Sequence, residues 1–263
     1  MASEAEEGSK QEWERYGKGR AILPKPRWSN IAEYTSAAYD RQVQQMLDDN
    51  LLPGQMVVDL GCGEGRWVEH LLRRGVRCVG ADLLVSNARV TCARTRLASG
   101  RALAVVADAA HLPFKPHRFD AFISFGLLEH FRNHVPVLEG WTRLLREGGR
   151  AIISVPNACR KDWIVYEALH QLVLHRKLVR FYPTVRGLVS RSYGYEERWT
   201  PAYFRQLCRL VGFTEVKIHG LFLLLPLLFH PLGDRIPPAL FRRIAPTRRS
   251  AQWGLYLFAV ARR

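Results

Sequence analysis

From Met56 onward, short apolar runs alternate with longer segments whose apolar residues recur every three or four positions. The short runs suit buried strands, and the longer spacing suits helices packed on one face. Strands are predicted at Met56–Leu60, Cys78–Ala81, Ala102–Ala107, Ala121–Phe125 and Arg150–Val155. Helices are predicted between them over Arg66–Arg74, Ser86–Leu97 and Val135–Leu145, the last closed by a Gly148-Gly149 turn. This alternation implies a parallel sheet covered on both faces. Right-handed crossovers then bring the strands' C-terminal ends to one rim, where ligands bind.

The flanks complete the outline. Residues 1–30 are expected to be a flexible or capping N-terminal segment, and 31–263 a single domain. Ile31–Asn50 has helical spacing and stops at Pro53-Gly54. The alternation breaks over Pro156–Thr200, so 158–200 is read as a helical insertion above the ligand rim, with its helix at Trp163–Val179. A helix over Pro201–Val211 and two late strands, Thr214–His219 and Gly254–Ala261, flank an apolar-basic segment at 221–250. The expected class is α/β: a doubly wound, mostly parallel sheet of about seven strands.

Chemistry concentrates at successive strand ends. Val57-Val58-Asp59-Leu60-Gly61-Cys62-Gly63-Glu64-Gly65 runs from an apolar strand through an acid into three alternate glycines. Such a turn can accept positive φ and let a ligand approach bare backbone. Asp82 closes the second strand, where a carboxylate can accept hydrogen bonds from a ribose diol. Asp108-Ala109 follows the third strand, and an acid there can meet an adenine amino group. Phe125 ends the fourth strand, and Glu129-His130 lies just beyond it.

Together these stretches resemble class I S-adenosylmethionine-dependent methyltransferases, specifically the type 11 group that includes quinone-biosynthesis enzymes. The resemblance is strong over Val57–Pro156 and looser over the later helix and last strand. It implies a Rossmann-like methyltransferase fold and S-adenosylmethionine as cofactor. It also implies that Gly61 and Gly63, with Cys62 between them, line the methionine moiety and that Asp59 lies near its amino group. Asp82 would hold the ribose, Leu83 would pack on adenine, Asp108 and Ala109 would meet the adenine edge, and Phe125 would line the methionine side. A nicotinamide or flavin domain fits less well, because its third glycine would fall at Arg66.

Duller readings stand beside these. Asp59 can cap the turn, and the glycines can serve strand-helix packing. His130 is the candidate general base, although the favoured reading is that its imidazole fixes the loop or packs beneath the cofactor. Tyr193 and Tyr195 can shape an acceptor pocket or pack at the surface.

Composition narrows the acceptor. With 48% hydrophobic and 11% aromatic residues, the chain can bury a core. Its polar, acidic first residues argue against a secretory signal, and no apolar window is long enough to span a bilayer. Five cysteines without a C-x-x-C spacing suggest neither a disulfide framework nor a metal site, and point to a reducing cytoplasm. Net charge is +15, and residues 158–263 hold 18 Lys and Arg against 6 Asp and Glu. A localised positive field favours an anionic partner.

Methylases of base or glutamine amino nitrogens resemble one another in N/D-P-P-Y/F, where this chain has Ser124-Phe125-Gly126-Leu127. No Pro-Cys pair of the pyrimidine carbon-5 type occurs. The leading expectation is O-methylation of a small hydrophobic or lipid-linked acceptor with an anionic part, with peripheral membrane contact through 221–250. RNA methylation and a non-catalytic, cofactor-binding regulator are the alternatives.

Overall fold

The computed structural model describes residues 29–101, 103–159, 197–221, 254 and 256–263. Helix α1 (Ser29–Asn50) leads into β1 (Met56–Leu60), α2 (Arg66–Arg73), β2 (Arg77–Asp82), α3 (Val85–Ser99), β3 (Ala104–Val106) and β4 (Phe119–Phe125). A 3-10 turn at Leu128–His130 precedes α4 (His134–Leu144), β5 (Leu145–Pro156), α5 (Pro201–Leu210), β6 (Glu215–Leu221) and β7 (Tyr256–Arg262).

Among the described residues, the strands form a seven-stranded sheet in the order β3-β2-β1-β4-β5-β7-β6. Strands β1 to β5 pair in parallel, and β7 runs antiparallel to both of its neighbours. The order reverses between β1 and β4, which opens a crevice at their C-terminal ends. The doubly wound, mostly parallel sheet expected from the sequence is therefore present.

Strand residues feed opposite faces in turn, as a two-residue period requires. Val57, Ile123 and Ile152 pack with Val43 and Leu47 of α1 and with Trp67, Val68 and Leu71 of α2. Val58, Leu60 and Phe122 pack with Leu138 and Trp141 of α4 and with Phe204 of α5. Each large apolar side chain fully removed from water contributes about 1.5–3 kcal/mol, so both helix layers are held by burial. Thr200 starts α5 by accepting the Tyr203 amide at 3.2 Å, and Pro201 occupies a position where a missing N–H costs nothing.

The expected helix end at Gly148-Gly149 is not found. Helix α4 stops at Leu144, and the glycine pair lies inside β5, where the register on β4 slips between Phe119↔Leu145 and Ala121↔Arg150. Gly148 has φ 71°, and a Cβ on Gly149 would stand 2.9 Å from the Arg146 carbonyl oxygen. The pair makes a bulge that only glycine fits. In sequence a helix stop and a strand bulge look alike.

The expected helix at Trp163–Val179, Tyr193, Tyr195 and nearly all of 221–250 lie outside the described residues, as do residues 1–28. Among the described residues no helix is long and apolar enough to cross a membrane.

Candidate active site

The glycine turn joins β1 to α2 at the crevice. It is tied to β2 by the Gly61 and Cys62 amides, which donate to the Ala81 carbonyl at 2.8 and 3.1 Å. Its two later glycines do different work. A Cβ on Gly65 would lie 2.6 Å from both Cγ2 and Oγ1 of Thr91, so this glycine lets α3 pack against the turn. Nothing lies within 4 Å of a Cβ built on Gly63, so this glycine borders open space. Gly61 faces Leu127, whose Cδ2 would stand 2.9 Å from an added Cβ.

The distinction can be tested. Gly63→Ala should fold, losing about 1–2 kcal/mol to its positive φ, yet place a methyl where a ligand would approach. A melt close to wild type with cofactor affinity weakened about tenfold or more is the expected pair of results. Equal loss of stability and binding would mean that Gly63 also serves packing.

Two acids stand at the adjoining strand ends. Asp82 is 9% exposed, and its Oδ2 accepts the Gly63 amide at 2.8 Å. Its Oδ1 accepts the Leu84 amide at 2.9 Å and Asn87 Nδ2 at 3.1 Å. Burial raises its pKa, and the three donors oppose that shift. A carboxylate has about four acceptor positions, so about one remains for a ligand. Asp59 is more enclosed, at 2% exposure, and its Oδ2 has no hydrogen-bond partner among the described residues. Burial, and secondarily the Asp82 charge, push its carboxyl up to about 8, while Arg66 pulls it back.

The third strand end is tied to the second, since the Ala107 amide donates to the Asp82 carbonyl at 2.9 Å. Asp108 Oδ1 accepts the Ala110 amide at 2.8 Å, and its side chain is 43% exposed, leaving carboxylate oxygen at the rim. The Ala109 carbonyl accepts Trp141 Nε1 at 2.8 Å, which fixes this loop to α4. Leu83 is half-buried just past β2. Phe125 ends β4 with its ring centroid 6.0 Å from that of Trp67 and 5.6 Å from that of Phe258.

With this geometry in view, comparison with known proteins is direct. Residues 58–153 match the type 11 family model described as a methyltransferase domain. Residues 58–153 thus form a methyltransferase domain of type 11.

Over 128 residues, the domain region is 32% identical to the human protein named Probable tRNA methyltransferase 9B, covering 48% of this chain and 26% of that one. It is 42% identical over 105 residues to demethylmenaquinone methyltransferase of Thermobifida fusca, covering 38% and 43%. Identity is 26% over 175 residues to ubiquinone biosynthesis O-methyltransferase of Neisseria meningitidis, covering 65% and 68%. The chain thus spans less than half the length of the first two of these relatives.

Among solved structures, a Thermotoga maritima S-adenosylmethionine-dependent methyltransferase superposes with TM-score 0.60 at 17% identity, covering 96% of this chain and 98% of that one. A Burkholderia thailandensis 1,6-didemethyltoxoflavin-N1-methyltransferase, solved with S-adenosylhomocysteine, superposes with TM-score 0.54 at 17% identity, covering 100% and 91%. At such identities these two report the fold.

The methyltransferase domain's own residues fit the cofactor. An unpartnered buried carboxyl oxygen at Asp59, open space over Gly63 and the remaining acceptor position on Asp82 suit a ligand with a cationic amino-acid end and a ribose. The Cys62 side chain is buried in the core. Its Sγ would lie 2.6 Å from a Cβ on Gly80 and is 3.7 Å from Thr91 Oγ1, so the thiol is packing and only backbone faces the turn.

His130 closes the 3-10 turn beyond β4, half-buried, with its amide donating to the Leu127 carbonyl at 3.1 Å. Its neighbour Glu129 is 3% exposed, and the Glu129 carbonyl accepts the Glu197 amide at 3.1 Å.

Sequence reasoning missed Thr91 and Asn87. Fully buried Thr91 donates from Oγ1 to the Gly63 carbonyl at 3.0 Å, and Asn87 holds Asp82. Both sit on α3 without a motif to mark them. It also missed α1's part in the site, where Asp40 meets Arg66 at 2.7 Å and Tyr39 packs edge-on to Tyr256 at 5.5 Å.

Proposed function

We propose that the protein methylates a small hydrophobic acceptor on oxygen, with S-adenosylmethionine as the methyl donor. The observation that carries the reading is the open space over Gly63, in the turn that follows Asp59 and whose amide Asp82 holds. Asp59, Gly63 and Asp82 would hold the cofactor, which when bound supplies an electrophilic methyl group. The protein's task is then to align a nucleophile and exclude water, which can supply roughly 7–11 kcal/mol of the barrier.

Half-buried Phe125 and Tyr39, backed by buried Trp67 and Phe258, support an apolar, planar acceptor. Trp67, Phe125 and Phe258 pack in succession, and Tyr39 lies against both Phe258 and Tyr256. Tyr39 also hydrogen-bonds Ser154, and burial raises its hydroxyl pKa far above the usual range, so it stays a neutral donor or acceptor. The names of the Thermobifida and Neisseria relatives support a quinone-type ring. A hydroxyl acceptor of high pKa needs a base, and His130 is the residue we assign to it. The apolar-basic segment 221–250 favours an acceptor held at an anionic membrane surface, which flotation with anionic vesicles would detect.

A second reading, methyl transfer to RNA, is favoured by the excess positive charge of residues 158–263 and by the human relative's name. Incubation with methyl-labelled cofactor and fractionated cell extract separates the two. Label entering the small-molecule or lipid pool is expected, and label entering RNA alone would overturn the primary reading.

A further inference from the structure

Asp59 is a strand-end acid with a buried carboxyl oxygen that no hydrogen bond satisfies among the described residues. Its register partners, Gly80 of β2 and Ile123 of β4, are uncharged. Four titratable groups bear on it: the Asp82 carboxylate at the end of β2, the Cys62 thiol in the turn, the Cys78 thiol on β2 and the Arg66 guanidinium at the start of α2. Asp82 repels a second negative charge. Burial pushes both thiols up, so they remain neutral. Arg66 attracts a carboxylate, but its Nη1 is already engaged by Asp40 Oδ1 of α1 at 2.7 Å. Its guanidinium also stacks 4.4 Å from the Trp67 ring centroid.

Gly63 cannot relieve Asp59, because its amide donates to Asp82 instead. The Asp59 oxygen without a partner is thus buried on β1 just before the turn, with a repelling neighbour. An unmatched anion in such a place costs more than a neutral carboxyl.

We propose that Asp59 is protonated in the ligand-free protein near neutral pH and gives that proton to solvent when the cationic cofactor binds, so that cofactor uptake is a proton-releasing event. The inference rests on the methyltransferase reading above and adds to it the protonation state in which the empty site waits. The carboxyl O–H bond breaks, its electron pair stays on Asp59, and the proton passes to buffer. Nothing is oxidised or reduced. The sulfonium and ammonium charges of S-adenosylmethionine supply the partner that Asp59 lacks, which favours its ionised form.

The sign of the pH dependence follows. The free carboxyl titrates near 8, and a bound cation lowers that value toward the usual carboxylate range. Affinity should therefore rise with pH through the interval between those two values, by at most about tenfold per unit, and level off above about 8.

Calorimetry of the full chain with S-adenosylmethionine at pH 6.5, in buffers of different ionisation heat, measures the proton directly. At that pH the ligand's α-ammonium is already charged when free, since such groups titrate at about 7.7–8.0. Release of close to one proton is expected for the wild type. Asp59→Asn should release none and bind with an affinity that is flat from about pH 6 to pH 7. Should that variant fail to fold, carbon-13 NMR of aspartate carboxyls in the wild type gives the same information. The Asp59 signal should be that of a neutral acid at pH 6.5 and should turn to that of a carboxylate on saturation. Binding heat that is independent of buffer, with Asp59 ionised before ligand is added, overturns this inference and leaves the methyltransferase reading standing. No heat and no spectral change overturns that reading itself.

Discussion

Gly65→Ala is expected to cost the fold roughly 2–5 kcal/mol, far more than the same change two residues earlier. Two terms add. The residue has φ 76°, where a side chain costs about 1–2 kcal/mol. The new methyl would also lie 2.6 Å from Thr91 Cγ2 and Oγ1, and overpacking of that kind costs about 1–3 kcal/mol. Thr91 is fully buried and bonded to the Gly63 carbonyl, so it cannot swing aside without losing that bond. A thermal melt should show a drop of roughly 5–15 °C. Combining it with Thr91→Ala should recover the contact term but not the backbone term, giving a non-additive cycle. Strict additivity would mean that α3 yields rather than resists.

Asp82→Ala is expected to damage stability and binding together. Three donors lose their acceptor at once: the Gly63 and Leu84 amides and the Asn87 side chain. Each buried donor left unanswered costs about 1–3 kcal/mol, and solvent entering the rim will satisfy part of them. A net loss of roughly 2–4 kcal/mol is expected on this basis. Cofactor affinity should fall by more than about tenfold, because a charged acceptor for the ribose and the brace on the turn disappear together. Asp108→Ala is the useful contrast in stability: one amide bond and a 3.6 Å contact with His111, at a side chain already 43% exposed, should cost the fold little. Affinity unchanged in Asp82→Ala would remove it from the cofactor site.

The sequence placed the candidate residues on the fold better than it showed what each of them touches. Asp59, Asp82, Asp108 and Phe125 could be placed on one rim because each follows an apolar run, and strand ends of a parallel sheet share an edge. What each group is bonded to could not be read. Spacing shows that Asp82 ends β2, but only coordinates show three of its acceptor positions taken by the protein's own donors. Thr91 and Asn87 are ordinary polar residues of an ordinary helix until α3 folds back over the turn. The same limit explains Gly148-Gly149, where glycine reported a special backbone without saying which kind. It explains Cys62 as well, a residue in the motif whose side chain belongs to the core.

The late strands carry a consequence for how the molecule is made. Strand β7 lies between β5 and β6, and every pairing of β6 in the sheet is with β7. A ribosome therefore emits β6 well before the strand that connects it to the rest. Until residues 256–262 emerge, the flank of β5 is a bare template of amides and carbonyls, open to any passing extended chain.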